Sequence, residues 1–111
     1  MYHNFESYKI INSTNKNNFI ILCDHASYKI PPKYNNLGLK ENQITKHIGW
    51  DIGALEVSKI ISKELNATLI HSLYSRLLVD CNRSLNSKTA FIKKSEDIVI
   101  PKNRYLMKSE K

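Results

Sequence analysis

The stretch "FIILC", residues 19–23, constrains the fold of this chain more than any other. It is a run of β-forming apolar residues cut off by an acid, Asp24. It is far short of the ~18 residues a membrane span needs. Without polar alternation it reads as a strand buried on both faces, the pattern of a sheet covered by helices. "DHASYKIPPKYNNLGL" (24–39) follows directly. Its Pro-Pro, Asn-Asn and Gly exclude a helix through the middle and mark a long ordered loop. Long loops leaving a buried strand often carry function.

Downstream, residues 40–66 read as a helix. Ile44, Ile48, Ile52 and Leu55 recur at three-to-four spacing, and Val57, Ile61 and Leu65 continue the apolar surface. Gly49 and Gly53 are the points where that helix can break or bend. "ATLIHS" (67–72) and "RLLVD" (76–80) read as a second and a third strand, and "CNRSLNS" as a polar loop. Residues 1–18 form a polar, Asn-rich lead-in in which "SYKII" reads as a short strand; the domain proper is expected over 19–111. The order strand, loop, helix, strand, strand is that of an α/β domain. Three strands and one long helix are few for a sheet that needs layers on both faces. The chain then closes on "KSEK" without a further element. Both points lead to the expectation that it is a piece of something larger.

The chain has 111 residues, 41% of them hydrophobic, so a core is possible and wholesale disorder is excluded. The formal net charge of +7 favours anionic partners in general, but the lysines are spread from end to end and no basic tract stands out. The two cysteines, Cys23 and Cys81, have no zinc-finger or CxxC spacing and read as small buried hydrophobes at strand ends. With no disulfide framework or signal-like start, a cytoplasmic location is expected, with no membrane association.

Three polar groups carry candidate chemistry. Asp24, His25 and Ser27 follow the first strand, and the carboxyl ends of strands are where open α/β sheets bind ligands. His25 can there ligate a metal or move a proton, or simply hydrogen-bond the loop. His47 and Asp51, at i and i+4, share one helix face, which suits a metal or an ordinary surface pair; Trp50 reads as core or pocket wall. In "YSRLLVDCNR", Arg76 opens the third strand, Asp80 ends it and Asn82-Arg83 follow. A guanidinium can grip a carboxylate with two parallel bonds, and an internal Arg–Asp bridge fixing the loop is equally open.

Taken in order, "ILCDHAS", "IPPKY", "LGL", "HIGWDIGA", "YSRLLVDCNR" and "IPKNR" resemble the N-formylglutamate amidohydrolases over roughly residues 19–106. The resemblance implies a layered α/β/α fold with a mixed sheet, similar to zinc carboxypeptidases and incomplete in this chain. It also implies hydrolysis of an N-acyl amide on an acidic amino acid, giving formate and glutamate from N-formylglutamate. By the same resemblance, Asn82 and Arg83 grip a substrate carboxylate, with Ser27 also at the substrate. Arg76 polarises the scissile carbonyl or holds a second carboxylate. His25 is a ligand of a divalent metal, zinc by resemblance. Related enzymes place a glutamate three residues after that histidine. Here Tyr28 stands there, and Asp51 is the substitute candidate. The later half of such an enzyme should bring further ligands and a catalytic carboxylate.

Two readings follow. One is an amidohydrolase domain acting on a small acidic N-acyl amino acid, truncated, inactive alone, or partnered by a separate chain carrying the missing half. The other is a non-catalytic basic α/β module that binds acidic metabolites or nucleic acid. The second accounts for the charge but for none of the ordered motifs, so nucleic acid is not expected as a partner.

Overall fold

A computed structural model describes residues 6–14 and 17–104. The first five residues of the lead-in and the tail after Arg104 lie outside the described residues. Strand β1 (Tyr8–Ile11) is the short strand expected in "SYKII", β2 (Ile20–Cys23) is the "FIILC" run, and β3 (Thr68–Ser72) is the "ATLIHS" run. They form a mixed sheet in the order β1-β3-β2. β1 runs antiparallel to β3, with Tyr8 opposite Ser72 and Ile11 opposite Leu69. β2 runs parallel to β3, with Ile20 opposite Thr68 and Cys23 opposite His71. A parallel pair needs a long crossover, and residues 24–67 supply it.

That crossover is not one helix. A 3-10 segment (Pro32–Gly38) is followed by the single-turn α1 (Glu41–Ile44), and α2 spans only Ala54–Leu65. The expected helix breaks over residues 45–53, bracketing both glycines. Physically, the chain folds back so tightly that a Cβ on Gly49 would lie 2.0 Å from the Ile44 carbonyl oxygen. The Trp50 indole donates to the Thr45 carbonyl at 2.8 Å, and the Asp51 N–H leaves the helical pattern for the His25 carbonyl at 2.9 Å. α2 then starts after Gly53, whose φ of 84° is left-handed, and ends at Asn66 in the same region.

One side of α2 packs on the sheet. Cys23, Ala26 and Leu69 are buried there, with Ile11, Ile21, Ala54 and Leu55 against them. The opposite sheet face is bare: Ile20 and Leu22 are 64% and 65% exposed, and Tyr8 and Ile10 are exposed beside them. The expectation that "FIILC" is buried on both faces therefore fails, because among the described residues only one face of the sheet carries a helix. Val57, Ile60, Ile61 and Leu65 on α2 are exposed as well.

"RLLVD" is not a strand. The Ser75 hydroxyl donates to the Gly49 carbonyl at 2.7 Å and accepts the Leu77 N–H at 3.1 Å, while the Ser75 N–H donates to the Lys29 carbonyl at 2.7 Å. These bonds turn the chain, and Leu77 enters a second core instead. There it joins Ile30, Leu37, Leu39, Ile44, Ile48 and Ile100. A hairpin of β4 (Lys94–Ser95) and β5 (Ile98–Val99) leads into α3 (Pro101–Arg104). The buried Asn103 amide in α3 donates to the Leu77 and Ile92 carbonyls at 2.6 and 2.9 Å. "IPKNR" thus anchors the turn that carries Arg76 and Asp80. No helix among the described residues is long and apolar enough to cross a membrane.

Candidate active site

His25 sits just past the carboxyl end of β2, which closes at Cys23. Its neighbour Ala26 is buried under α2, and the Ala26 N–H donates to the Ser72 hydroxyl at 3.2 Å. The imidazole is buried and both ring nitrogens meet carboxylates. Nε2 lies 2.7 Å from Asp80 Oδ1, and Nδ1 lies 3.4 Å from Asp51 Oδ2. Arg76 closes the arrangement, 3.3 Å from Asp80 Oδ2 and 3.8 Å from Asp51 Oδ1. Two bases and two acids therefore alternate around one ring of contacts.

The two acids differ in setting. Asp80 is buried, and Oδ1 also accepts the Asn82 N–H at 3.0 Å. Burial alone would raise its pKa. The hydrogen bonds from His25 and the Asn82 N–H, with the charges of His25 and Arg76, outweigh that and hold the carboxyl below its ordinary 3.8. Asp51 is more than half exposed and is fixed through its backbone bond to the His25 carbonyl. It faces open space, whereas Asp80 faces the protein.

The sequence brought His25, Asp51 and Arg76 forward as site residues, and the structure brings them together. It does not bring His47 with them. Residues 47 and 51 share no helix face, because no helix runs there; His47 pairs on the surface with Glu96 at 2.6 Å. Ser27 uses its hydroxyl locally, accepting the Lys29 N–H at 3.1 Å. Arg83 is exposed, donates to the Asn82 carbonyl at 2.9 Å, and lines a cavity of about 490 Å³ with Asp24, Asp80, Cys81 and the bare sheet residues Leu22 and Ile70. The link from Asp80 to His25 was not foreseen. Its one sequence signal is an acid closing an apolar run, like Asp24 after "FIILC". Trp50 forms part of the wall behind the loop, edge-on to Tyr28 at 5.0 Å between ring centres. Cys23 is buried as expected. Cys81 is exposed, since no strand ends there, and its thiol touches the Asp24 carbonyl at 3.2 Å. Partial burial and the nearby Asp24 and Asp80 raise that thiol's pKa, so it is a poor nucleophile.

Whether the residues fit a divalent ion is testable on this geometry. With Nε2 occupied by Asp80, His25 turns Nδ1 toward Asp51, the carboxylate-backed arrangement common behind metal-ligating histidines. Two ligands of a tetrahedral zinc lie about 3.3 Å apart at ordinary zinc–ligand distances. The Nδ1 to Oδ2 separation of 3.4 Å fits that corner. A group of three or more metal-binding side chains is absent among the described residues, so the fit is that of two ligands.

A family model described as N-formylglutamate amidohydrolase matches residues 17–109. Among solved structures, the crystal structure of a gene product from Agrobacterium tumefaciens is similar, with a TM-score of 0.90 at 40% identity. The match covers 95% of this chain and 42% of that one, so the chain spans about two-fifths of the length of that relative. Among curated proteins there is no match.

Proposed function

The chain belongs to the N-formylglutamate amidohydrolase family, and on that premise we propose that it contributes the histidine corner and the substrate-gripping arginines of a metal-assisted hydrolase of acidic N-acyl amino acids. N-formylglutamate is the first substrate to test, with water giving formate and glutamate. The observation that carries this reading is the closed ring of His25, Asp80, Arg76 and Asp51, of which Asp80 also lines a cavity together with Arg83 while the other three lie outside that lining.

Each residue then has a role set by its surroundings. Asp80 fixes the imidazole by accepting a hydrogen bond from its Nε2–H, which leaves Nδ1 as a lone-pair donor. His25 and Asp51 would hold the divalent ion, zinc by family resemblance. Bound there, such an ion lowers the pKa of its water and polarises a carbonyl. Arg83 is a permanent cation at the cavity mouth, and Asn82 lies next to it for the α-carboxylate of the substrate. Arg76 is held by two acids but lies 3.8 Å from exposed Asp51, a loose contact that a substrate oxygen can replace. Its fork can then take the scissile carbonyl or the second carboxylate. A catalytic zinc takes three protein ligands, so we expect further donors from a segment or chain outside the described residues.

Calorimetry with glutamate and N-formylglutamate tests the grip. Arg83→Ala should weaken binding by about tenfold or more, as expected when a charge-assisted pair is removed. Unchanged binding would refute the assignment. The chain alone, loaded with zinc, should show no turnover. Turnover that disappears in His25→Ala would place the whole catalytic set within these 111 residues.

A further inference from the structure

The lysines form no tract along the sequence, but the fold gathers four of them around one place. Lys33 comes from the 3-10 segment, Lys88 from the loop beyond Arg83, Lys93 from just before β4, and Lys102 from α3. They line two adjoining cavities whose linings include none of His25, Asp51, Arg76 and Asp80. The larger, of about 580 Å³, has Lys33, Tyr34, Leu78, Phe91 and Lys102 in its wall. The smaller, of about 360 Å³, is lined by Ser87, Lys88, Phe91, Lys93 and Asn103. Phe91 and Asn103 belong to both and form their common wall. That wall is held in place, because the buried Asn103 amide donates to the Leu77 and Ile92 carbonyls. The Lys33 ammonium lies 4.9 Å from the centre of the Tyr34 ring, so a cation and an aromatic face sit together in the larger cavity. Among the described residues no acidic side chain lines either cavity, and the four lysines give the linings a formal charge of +4. The cavity lined by Arg83 is the opposite case, with one arginine against the two acids Asp24 and Asp80, a formal charge of −1.

We propose that these paired cavities bind a small organic phosphate carrying a flat ring, of the mononucleotide class. A phosphate monoester brings about two negative charges at neutral pH and three acceptor oxygens, which several lysines match without acidic competition. Lysine meets phosphate as a point charge, whereas a carboxylate is best held by a planar guanidinium fork. The lining is accordingly lysine here and arginine at the other cavity. The smaller cavity takes the phosphate, with Lys88 and Lys93 as its counter-charges. The larger takes the ring, against Phe91, Leu78 and Tyr34, where an aromatic face offers stacking. Two bounded cavities with a shared, anchored wall suit a small ligand, whereas a polymer is tracked by a continuous groove. This site stands independently of the hydrolase reading above.

Calorimetry of the 111-residue chain with adenosine monophosphate tests this. Saturable binding is expected, weakening as salt rises because the lysines are exposed. Adenosine lacks the phosphate and ribose phosphate lacks the ring, and each should bind about tenfold more weakly or worse. Lys88→Gln with Lys93→Gln should lower the affinity for adenosine monophosphate by about tenfold or more. The melting temperature of that variant should be unchanged, since both side chains lie in solvent. Arg83→Ala should leave the affinity unchanged, as should Ile20→Asp with Leu22→Asp, which separates this site from the carboxylate grip and from the bare sheet face. Absence of binding would overturn the proposal, and so would full affinity in the double lysine variant. Equal affinity for ribose phosphate would remove the ring subsite. A single-stranded oligonucleotide that binds more tightly than the mononucleotide, with a steep salt dependence, would show a polymer surface instead and overturn it as well.

Discussion

At the scale of single residues, the site turns on Asp80, whose carboxylate serves three donors while buried. Removing its charge leaves His25 and Arg76 without their shared acid. Asp80→Asn should cost about 3 kcal/mol, the lower end for breaking a buried ion pair, read as a fall in the denaturation midpoint. The pH dependence follows from the direction of its shift. The folded pKa lies below the unfolded one, so the contribution is complete above about pH 4 and disappears as pH falls through the folded value. The wild-type chain should lose stability on that acid limb, and Asp80→Asn should flatten it. Sequence made His25, Asp51 and Arg76 legible by different routes: His25 by its place just after a strand, Asp51 as the carboxylate standing in for a missing glutamate in the family pattern, and Arg76 within the ordered motif "YSRLLVDCNR". The bond between His25 and Asp80 was not legible. It joins positions 55 apart, and no local pattern encodes that distance.

At the scale of elements, the crossover between β2 and β3 shows how a helical pattern is overruled. Ile44 and Ile48 do keep an apolar face, but they turn it into a core separate from the one under α2. The two glycines act differently, and substitution separates them. Gly49→Ala drives a methyl into backbone and should destabilise the chain by about 3 kcal/mol or more, beyond ordinary overpacking. At Gly53 the space is open and only the left-handed φ opposes a side chain, so Gly53→Ala should cost about 1 kcal/mol. Both are checked by chemical denaturation. "RLLVD" carried a strand's composition and became a turn. Three hydrogen bonds around Ser75, reaching Lys29, Gly49 and Leu77, outweigh the β propensity of three apolar residues. That turn places Arg76 and Asp80 on one side of His25.

At the scale of the molecule, among the described residues one layer of helix on a three-stranded sheet leaves an apolar surface on water. The isolated chain should bind the dye ANS, and Ile20→Asp with Leu22→Asp should remove most of that fluorescence without lowering the melting temperature. Unchanged fluorescence would show that the bare face is not the exposed apolar surface in solution. The sequence by itself determined that "SYKII", "FIILC" and "ATLIHS" are strands, the two glycines near which the expected helix breaks, the family and most of the polar residues now gathered at the site. Those depend on local composition and on ordered motifs, which a linear reading can see. Only the tertiary structure decided that "FIILC" has one wet face, that His47 stands apart from Asp51, and that Asp80 closes a ring through His25 and Arg76. Burial and long-range hydrogen bonds depend on which segments meet in space, and spacing along the chain does not contain that.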